Sequence, residues 1–216
     1  MIQTYKHDFI DLCLRLGVLR FGSFTLKSGR ESPYFFNAGQ LNTGEAISAV
    51  GRAYAAAIVA SGVGFDSLFG PAYKGIPLVT VTAAALAEHH GFNLPFAFSR
   101  KEAKTHGERG DIVGSALQGR VLIVDDVITA GTAIRESVDI IRAAGAHPAG
   151  VLLALDRQER GTQSALSAVQ EVQKEFAIPV ITIIDLHDLL SHMKAHGHPD
   201  EIPRIQAYKD RYGLAD

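Results

Sequence analysis

Hydrophobic positions along this chain follow two rhythms, and their alternation predicts the architecture. Over 7–17, Phe9, Ile10, Cys13, Leu14 and Leu16 are apolar at helical spacing, and Gly17 ends the run. Residues 20–38 read as a hairpin: Phe24-Thr-Leu-Lys, a Ser28-Gly-Arg turn, then Pro33-Tyr-Phe-Phe-Asn. An Ala-rich helix follows over 45–61. Short apolar runs at 66–70, 94–98, 121–125, 150–155 and 179–184 read as strands. Helical patterns lie between most of them, near 75–90, 132–144 and 162–176, and two more near 185–195 and 203–212 close the chain. This βαβ rhythm predicts an α/β fold, a doubly wound and mostly parallel sheet. The first helix and the hairpin stand outside the rhythm. The expectation is one domain over 1–216, with residues 1–44 forming a small hood over the sheet's carboxyl edge.

Composition narrows the class. The 216 residues are 47% hydrophobic and 20% charged, as in ordinary globular proteins. A net charge of −2 argues against a general nucleic-acid binder. Cys13 is the single cysteine, so an intrachain disulfide is excluded, which suits a reducing cytoplasm. The N-terminus lacks the apolar core of a signal peptide, and no stretch reaches the roughly 18 apolar residues of a membrane span. A cytoplasmic protein with no membrane or nucleic-acid partner is expected.

The chemistry concentrates where the strand pattern meets carboxylates. In Val121-Leu-Ile-Val-Asp-Asp-Val-Ile-Thr-Ala-Gly-Thr-Ala133 a buried strand delivers Asp125 and Asp126 to its carboxyl end. A Thr/Gly loop follows and opens a helix with Ile134, Val138 and Ile141 on one face. Backbone N–H groups at such a helix start cradle phosphate, and adjacent carboxylates can hold sugar hydroxyls. One βα unit earlier, Ser99-Arg-Lys-Glu-Ala-Lys-Thr-His-Gly-Glu-Arg-Gly-Asp-Ile112 reads as a mobile cationic loop. Arg100, Lys101, Lys104, His106 and Arg109 could close over a multiply charged leaving group. In Phe69-Gly-Pro-Ala-Tyr-Lys-Gly-Ile76, Lys74 and the backbone at Gly75 could hold pyrophosphate; alone, this is a weak motif. In the hairpin, Lys27 could meet a carboxylate, and Phe35 or Phe36 could stack on a planar ring. Strand alternation implies that at least one of that Phe pair is core.

Together these stretches, with Leu155-Asp-Arg-Gln-Glu-Arg160, resemble the orotate phosphoribosyltransferases of the type I phosphoribosyltransferase family. The resemblance runs over essentially the whole chain. It implies transfer of ribose 5-phosphate from phosphoribosyl pyrophosphate (PRPP) to orotate in pyrimidine biosynthesis, with Mg²⁺ carried by PRPP and no direct protein ligand. It also implies a homodimer in which part of the cationic loop reaches the neighbour's site. By the resemblance, Asp125 and Asp126 hold the ribose hydroxyls, and Val127, Ile128, Thr129, Ala130, Gly131, Thr132 and Ala133 bind the 5′-phosphate. Tyr73 and Lys74 hold pyrophosphate, with Arg100, Lys101, Lys104 and His106 closing over it. Phe35, Phe36, Thr129 and Arg157 contact orotate, and Lys27 lies at the ligand junction with PRPP. Lys104, Lys101, Asp125 and Asp126 are the catalytic set, and Lys104 is expected to be the most rate-sensitive.

Two other readings use the same residues: a non-catalytic PRPP-sensing regulator, and a phosphoribosyltransferase for another base. The intact cationic loop counts against the sensor, and Lys27, Arg157 and the Phe pair favour a flat, carboxylated base. Glu88-His89-His90 sits at a predicted helix end, where His suits the helix dipole better than a metal. His187, His192, His196 and His198 lie in a polar C-terminal stretch and read as surface. Cys13 reads as core.

Overall fold

The computed structural model describes residues 3–26, 28–104, 110–197 and 199–214; of 102–104 it describes the backbone only. Helix α1 (Thr4–Arg15) precedes a two-stranded antiparallel sheet of β1 (Leu19–Thr25) and β2 (Glu31–Phe36). Then come α2 (Gly44–Ser61), β3 (Ser67–Gly70), α3 (Gly75–His90), β4 (Phe96–Lys104), β5 (Gly110–Gly114) and β6 (Arg120–Val124). The chain continues with α4 (Thr132–Ala143), β7 (His147–Asp156), α5 (Ala168–Phe176), β8 (Val180–Asp185), α6 (Leu186–His196) and α7 (Ile202–Tyr212). The main sheet has the order β5-β4-β3-β6-β7-β8 and is parallel except for β5 against β4.

The doubly wound α/β expectation is met, and side-chain alternation shows why. Leu68, Leu122 and Leu152 point into a core shared with α1, α2, α3, α6 and α7. Their neighbours Phe69, Ile123 and Leu153 point into a second core capped by Ile134, Val138 and Ile141 of α4 and Val172 of α5. A strand buried on both faces must be apolar at every position, so the runs are continuous rather than alternating. Strand order departs in opposite directions from β3 and β6, so their carboxyl ends form the switch point at which such sheets bind ligands.

Three expectations need correction. The 99–112 stretch is not all loop: β4 runs to Lys104 and β5 starts at Gly110, pairing antiparallel. Extended polar residues satisfy their backbones by pairing across this edge, which an apolar-run criterion overlooks. The helix expected at 162–176 starts only at Ala168, where Ser167 and Gln170 form a reciprocal capping box. His192 is not a surface residue; it is fully buried on α6. Its helix also carries Leu186, Leu189, Leu190 and Met193 in the core, so the polar stretch has a buried side. The alternation expected within the Phe pair holds: Phe36 belongs to the main core, and Phe35 is the half-buried ring.

Candidate active site

Each of the two central strands ends in a turn shaped by its residues. After β3, the chain passes so close to itself that a Cβ on Gly70 would lie 2.3 Å from the Gly75 carbonyl oxygen. A Cβ on Gly75 would meet Pro71 at 2.6 Å and the Val124 carbonyl oxygen at 2.9 Å. Glycine at both positions is therefore a condition for β3, β6 and the start of α3 to meet. The Ala72 N–H donates to Ser99 Oγ at 2.9 Å, tying this turn to β4. Tyr73 projects outward, with two-thirds of its surface exposed, and Lys101 Nζ stands 5.4 Å from its ring centre.

After β6, Asp125 and Asp126 are both buried at the strand end. The Asp125 N–H donates to the Leu152 carbonyl of β7 at 3.0 Å, and the Ala154 N–H donates to the Asp126 carbonyl at 2.8 Å. From the other side, the Tyr54 hydroxyl of α2 donates to the Asp125 carbonyl at 2.9 Å. Val127 packs against one core and Ile128 against the other, so the loop is anchored on both faces of the sheet. Thr129, Ala130 and Thr132 are exposed beyond that anchor. Gly131 takes a left-handed φ of 74° just before α4, and Arg135 donates to the Ala130 carbonyl at 2.7 Å while pairing with Glu175. The loop is thus held at its base and its end, with its middle open.

The two turns meet through charge. Lys74 Nζ donates to Asp126 Oδ2 at 2.5 Å, with the lysine half exposed and the carboxylate buried. One lysine faces two carboxylates. Burial, reinforced by the neighbouring Asp126 charge, pushes the Asp125 carboxyl up to about 7, although the Asp126 N–H and Lys74 pull the other way. Arg100 adds a further cationic group: its Nη1 is buried with no hydrogen-bond partner among the described residues.

A third group lies where β7 ends. Arg157 donates from Nε to Glu159 at 2.7 Å and from Nη2 to Ser32 Oγ of β2 at 3.0 Å, and its guanidinium covers the Tyr34 ring at 4.2 Å. Burial works against its charge, but Tyr34 and Glu159 more than offset this and raise its pKa. Gln158 is held at a left-handed φ of 51°, with Asp156 Oδ1 accepting from its N–H. The Leu214 N–H donates to the Gln158 carbonyl, and the Arg160 N–H to the Tyr212 carbonyl, so the C-terminal segment braces the turn. Phe35 stacks on Phe24, ring centres 5.5 Å apart, on the same two-stranded sheet that Arg157 grips.

The structure therefore gathers Lys74, Asp125 and Asp126 at the switch point, with Tyr73 and Lys101 as a second pair on its β3 side. Lys27, His106 and the Lys104 side chain lie outside the described residues. Sequence reading missed Ser32, Tyr54 and Ser99, which hold the site by contacts distant along the chain, and Glu159, which pairs with Arg157 from two residues on. Only Glu159, inside the Asp-Arg-Gln-Glu-Arg run, carried a local hint.

This combination of a β3–β6 switch point, an acidic pair and an open loop before a helix defines a phosphoribosyltransferase. The family model described as phosphoribosyl transferase domain matches residues 37–180. The chain is 62% identical to the orotate phosphoribosyltransferase of Thioalkalivibrio sulfidiphilus, covering 99% of this chain and 100% of that protein. It is 56% identical to that of Vibrio parahaemolyticus over the same shares. The crystal structure of the Francisella tularensis orotate phosphoribosyltransferase superposes with a TM-score of 0.87 at 42% identity, covering 95% of this chain and 99% of that one. The chain belongs to the orotate phosphoribosyltransferase family, whose members are pentosyltransferases. These findings favour the enzyme over the sensor and over transfer to another base.

Proposed function

We propose that the family's reaction runs at the β3–β6 switch point. The bond between the anomeric carbon of PRPP and its pyrophosphate breaks there, a bond to a ring nitrogen of orotate forms, and orotidine 5′-monophosphate and pyrophosphate leave. The observation that carries this reading is the Lys74–Asp126 contact, which joins the pyrophosphate side to the ribose side across two strand ends.

In this mechanism Asp125 and Asp126 accept from the ribose hydroxyls, and their negative charge tolerates the positive charge that builds on the sugar. The backbone and hydroxyls from Val127 to Ala133 hold the 5′-phosphate, with Thr129 and Thr132 already facing solvent. Tyr73, Lys74, Arg100 and Lys101 hold pyrophosphate, and Lys104 and His106 join them as charge develops on the leaving oxygens. Orotate is an anion, so no strong base is required, and catalysis is positioning plus electrostatics. Phe35 and Phe36 border the flat ring and Arg157 meets its carboxylate, with Thr129 and Lys27 completing the junction. The hood formed by 1–44 would shield the base from water.

Oxygen donors suit a hard cation, and this acidic pair is already engaged with Lys74. That arrangement fits Mg²⁺ held by PRPP and water, with the carboxylates acting through the ribose. Bound there, Mg²⁺ supplies neutralisation of the pyrophosphate charge. The reading includes a homodimer with shared sites in the cytoplasm, for which the cationic β4–β5 edge and the exposed Tyr73 are the surface to test.

The test is the loss of orotate absorbance on adding PRPP and Mg²⁺, with uracil and hypoxanthine as control bases and Lys104→Ala as control protein. Orotate-specific turnover that collapses in the variant is expected. Folded protein that binds PRPP but turns over no orotate would overturn the reading.

A further inference from the structure

Outside the active site, α1 and α6 bring three imidazoles together. His192 and His196 stand one turn apart on α6, their rings stacked with centres 4.1 Å apart. The His7 ring of α1 lies 5.1 Å from one and 5.3 Å from the other. His7 Nδ1 is 2.8 Å from His192 Nδ1, and one ring nitrogen from each of the three lies within 4.8 Å of the others. Two nitrogens bound to one tetrahedral zinc stand about 3.3 Å apart, given metal–nitrogen bonds of about 2.0–2.1 Å. His196 Nδ1 donates to the His192 carbonyl at 2.9 Å, which leaves Nε2 as the nitrogen it can offer, and ring rotations would have to close the remaining gap.

From this geometry we infer that His7, His192 and His196 form a binding site for one divalent transition-metal ion of the zinc class. The donor set fits, since imidazole suits zinc, nickel and copper and not the hard ion that rides on PRPP. Burial fits as well: His192 is fully buried, and Asp11 Oδ1 lies 3.1 Å from its Nε2. Once the ring aligns with it, that carboxylate would hold the proton on Nε2 and leave the Nδ1 lone pair towards His7, a support that metal-binding histidines commonly have. That Nε2 contact lacks hydrogen-bond alignment among the described residues, so the ring has room to gain by reorienting. The nearby cation Lys6 is committed to Asp188 at 2.7 Å. A surface cavity of about 640 Å³ borders His7, with Lys6, Asp188 and Ser191 in its lining, and would bring solvent to that ring's side of the cluster. A bound ion would staple the N-terminal helix to α6.

The experiment uses chelator-stripped full-length protein in Mg²⁺ buffer, titrated with Co²⁺ as a visible probe and with Zn²⁺ by calorimetry. One saturating ion per chain is expected, with the intense visible bands of tetrahedral Co²⁺ and a higher melting temperature. Asp11→Asn should weaken binding about tenfold. His196→Gln, at an exposed position, should weaken it further while leaving turnover unchanged, and His7→Gln should do likewise. His89→Gln with His90→Gln should leave binding intact. Absence of saturable Co²⁺ binding, or binding that His7→Gln and His196→Gln both leave unaltered, would overturn the proposal and leave an imidazole hydrogen bond between two helices.

Discussion

Two buried charge clusters of this molecule are built on opposite terms. Around Arg157 each charged group is fixed by several contacts: Glu159 pairs with it at 2.7 Å and lies 3.8 Å from Arg30, Ser32 accepts a hydrogen bond, and the Tyr34 ring lies beneath. At the end of β6 the balance is left open, with two buried carboxylates facing one half-exposed lysine. The first cluster is one that a chain keeps to hold a turn and an Arg side chain in place. The second leaves negative charge waiting for a partner, which is the condition expected of a site that binds in stages. Variants at the two clusters should therefore fail differently, the first in stability and the second in turnover.

The largest effect is expected from Arg157→Ala. Removing the guanidinium leaves Glu159 with Arg30, at 3.8 Å, as its remaining cation and frees Ser32; breaking a buried pair from one side costs about 3–5 kcal/mol, and Arg30 moderates that cost. Since Arg157 and Glu159 keep 18% and 14% of their side-chain surface exposed, the lower end of that range is expected in urea unfolding. The Michaelis constant for orotate should rise as well. A folded variant with unchanged stability would show that the pairing around Arg157 does not brace the turn.

Asp126→Asn comes next. It keeps the shape but removes the charge that Lys74 and a ribose hydroxyl would share, and loss of one preorganised electrostatic group typically costs about 10²–10³ in turnover. Steady-state kinetics with saturating orotate reads this directly. Stability should change little, because an amide oxygen still accepts from Lys74. A variant within threefold of the parent would remove Asp126 from the reaction.

Asp125→Asn separates charge from burial more finely. The parent carboxyl has a folded pKa of about 7 against an ordinary 3.8. Below the lower value both folded and unfolded chains hold the proton, and burial adds no pH-dependent cost. Between the two values the folded chain holds the proton that the unfolded chain has lost, so parental stability falls as pH rises, until the carboxyl ionises near 7. The whole interval corresponds to at most about 4 kcal/mol. Asparagine has no such penalty, so the variant should gain on the parent from pH 4 to pH 8, by about 1–3 kcal/mol, while losing activity. Parallel pH profiles for the two proteins would contradict the raised pKa.

What the sequence could announce about these clusters was local. The continuous run Val121–Val124, its two carboxylates and the helix after Gly131 sit side by side in the chain, and periodicity places them without knowledge of the rest. The cluster around Arg157 depends on Ser32 and Tyr34, more than 120 residues away, and is written only in the topology. Burial of His192 is likewise set by α1, which lies 185 residues from it along the chain at His7. The β5 edge was missed for a different reason, since its apolar run is only Ile112 and Val113 between glycines, too short to read as a strand although Ile112 packs on the second core. The late start of α5 was legible, in principle, from Ser167 and Gln170 at capping-box spacing.

The smallest stability effect is expected from Lys74→Ala, and it sharpens the contrast most. The lysine is 56% exposed, so water screens its contact with Asp126 and the pair contributes within about 1 kcal/mol. Its removal leaves Asp126, 9% exposed, without a cation, but the half-exposed lysine vacates space through which water reaches the carboxylate. Unfolding should therefore barely shift, in contrast to Arg157→Ala, where a charged partner disappears from a braced turn. Activity should respond differently: the Michaelis constant for PRPP should rise about tenfold, since one charge-assisted contact to pyrophosphate is lost. If Lys74→Ala instead unfolded the protein while sparing PRPP binding, the open cluster would be structural, and the division between the two regions would fail.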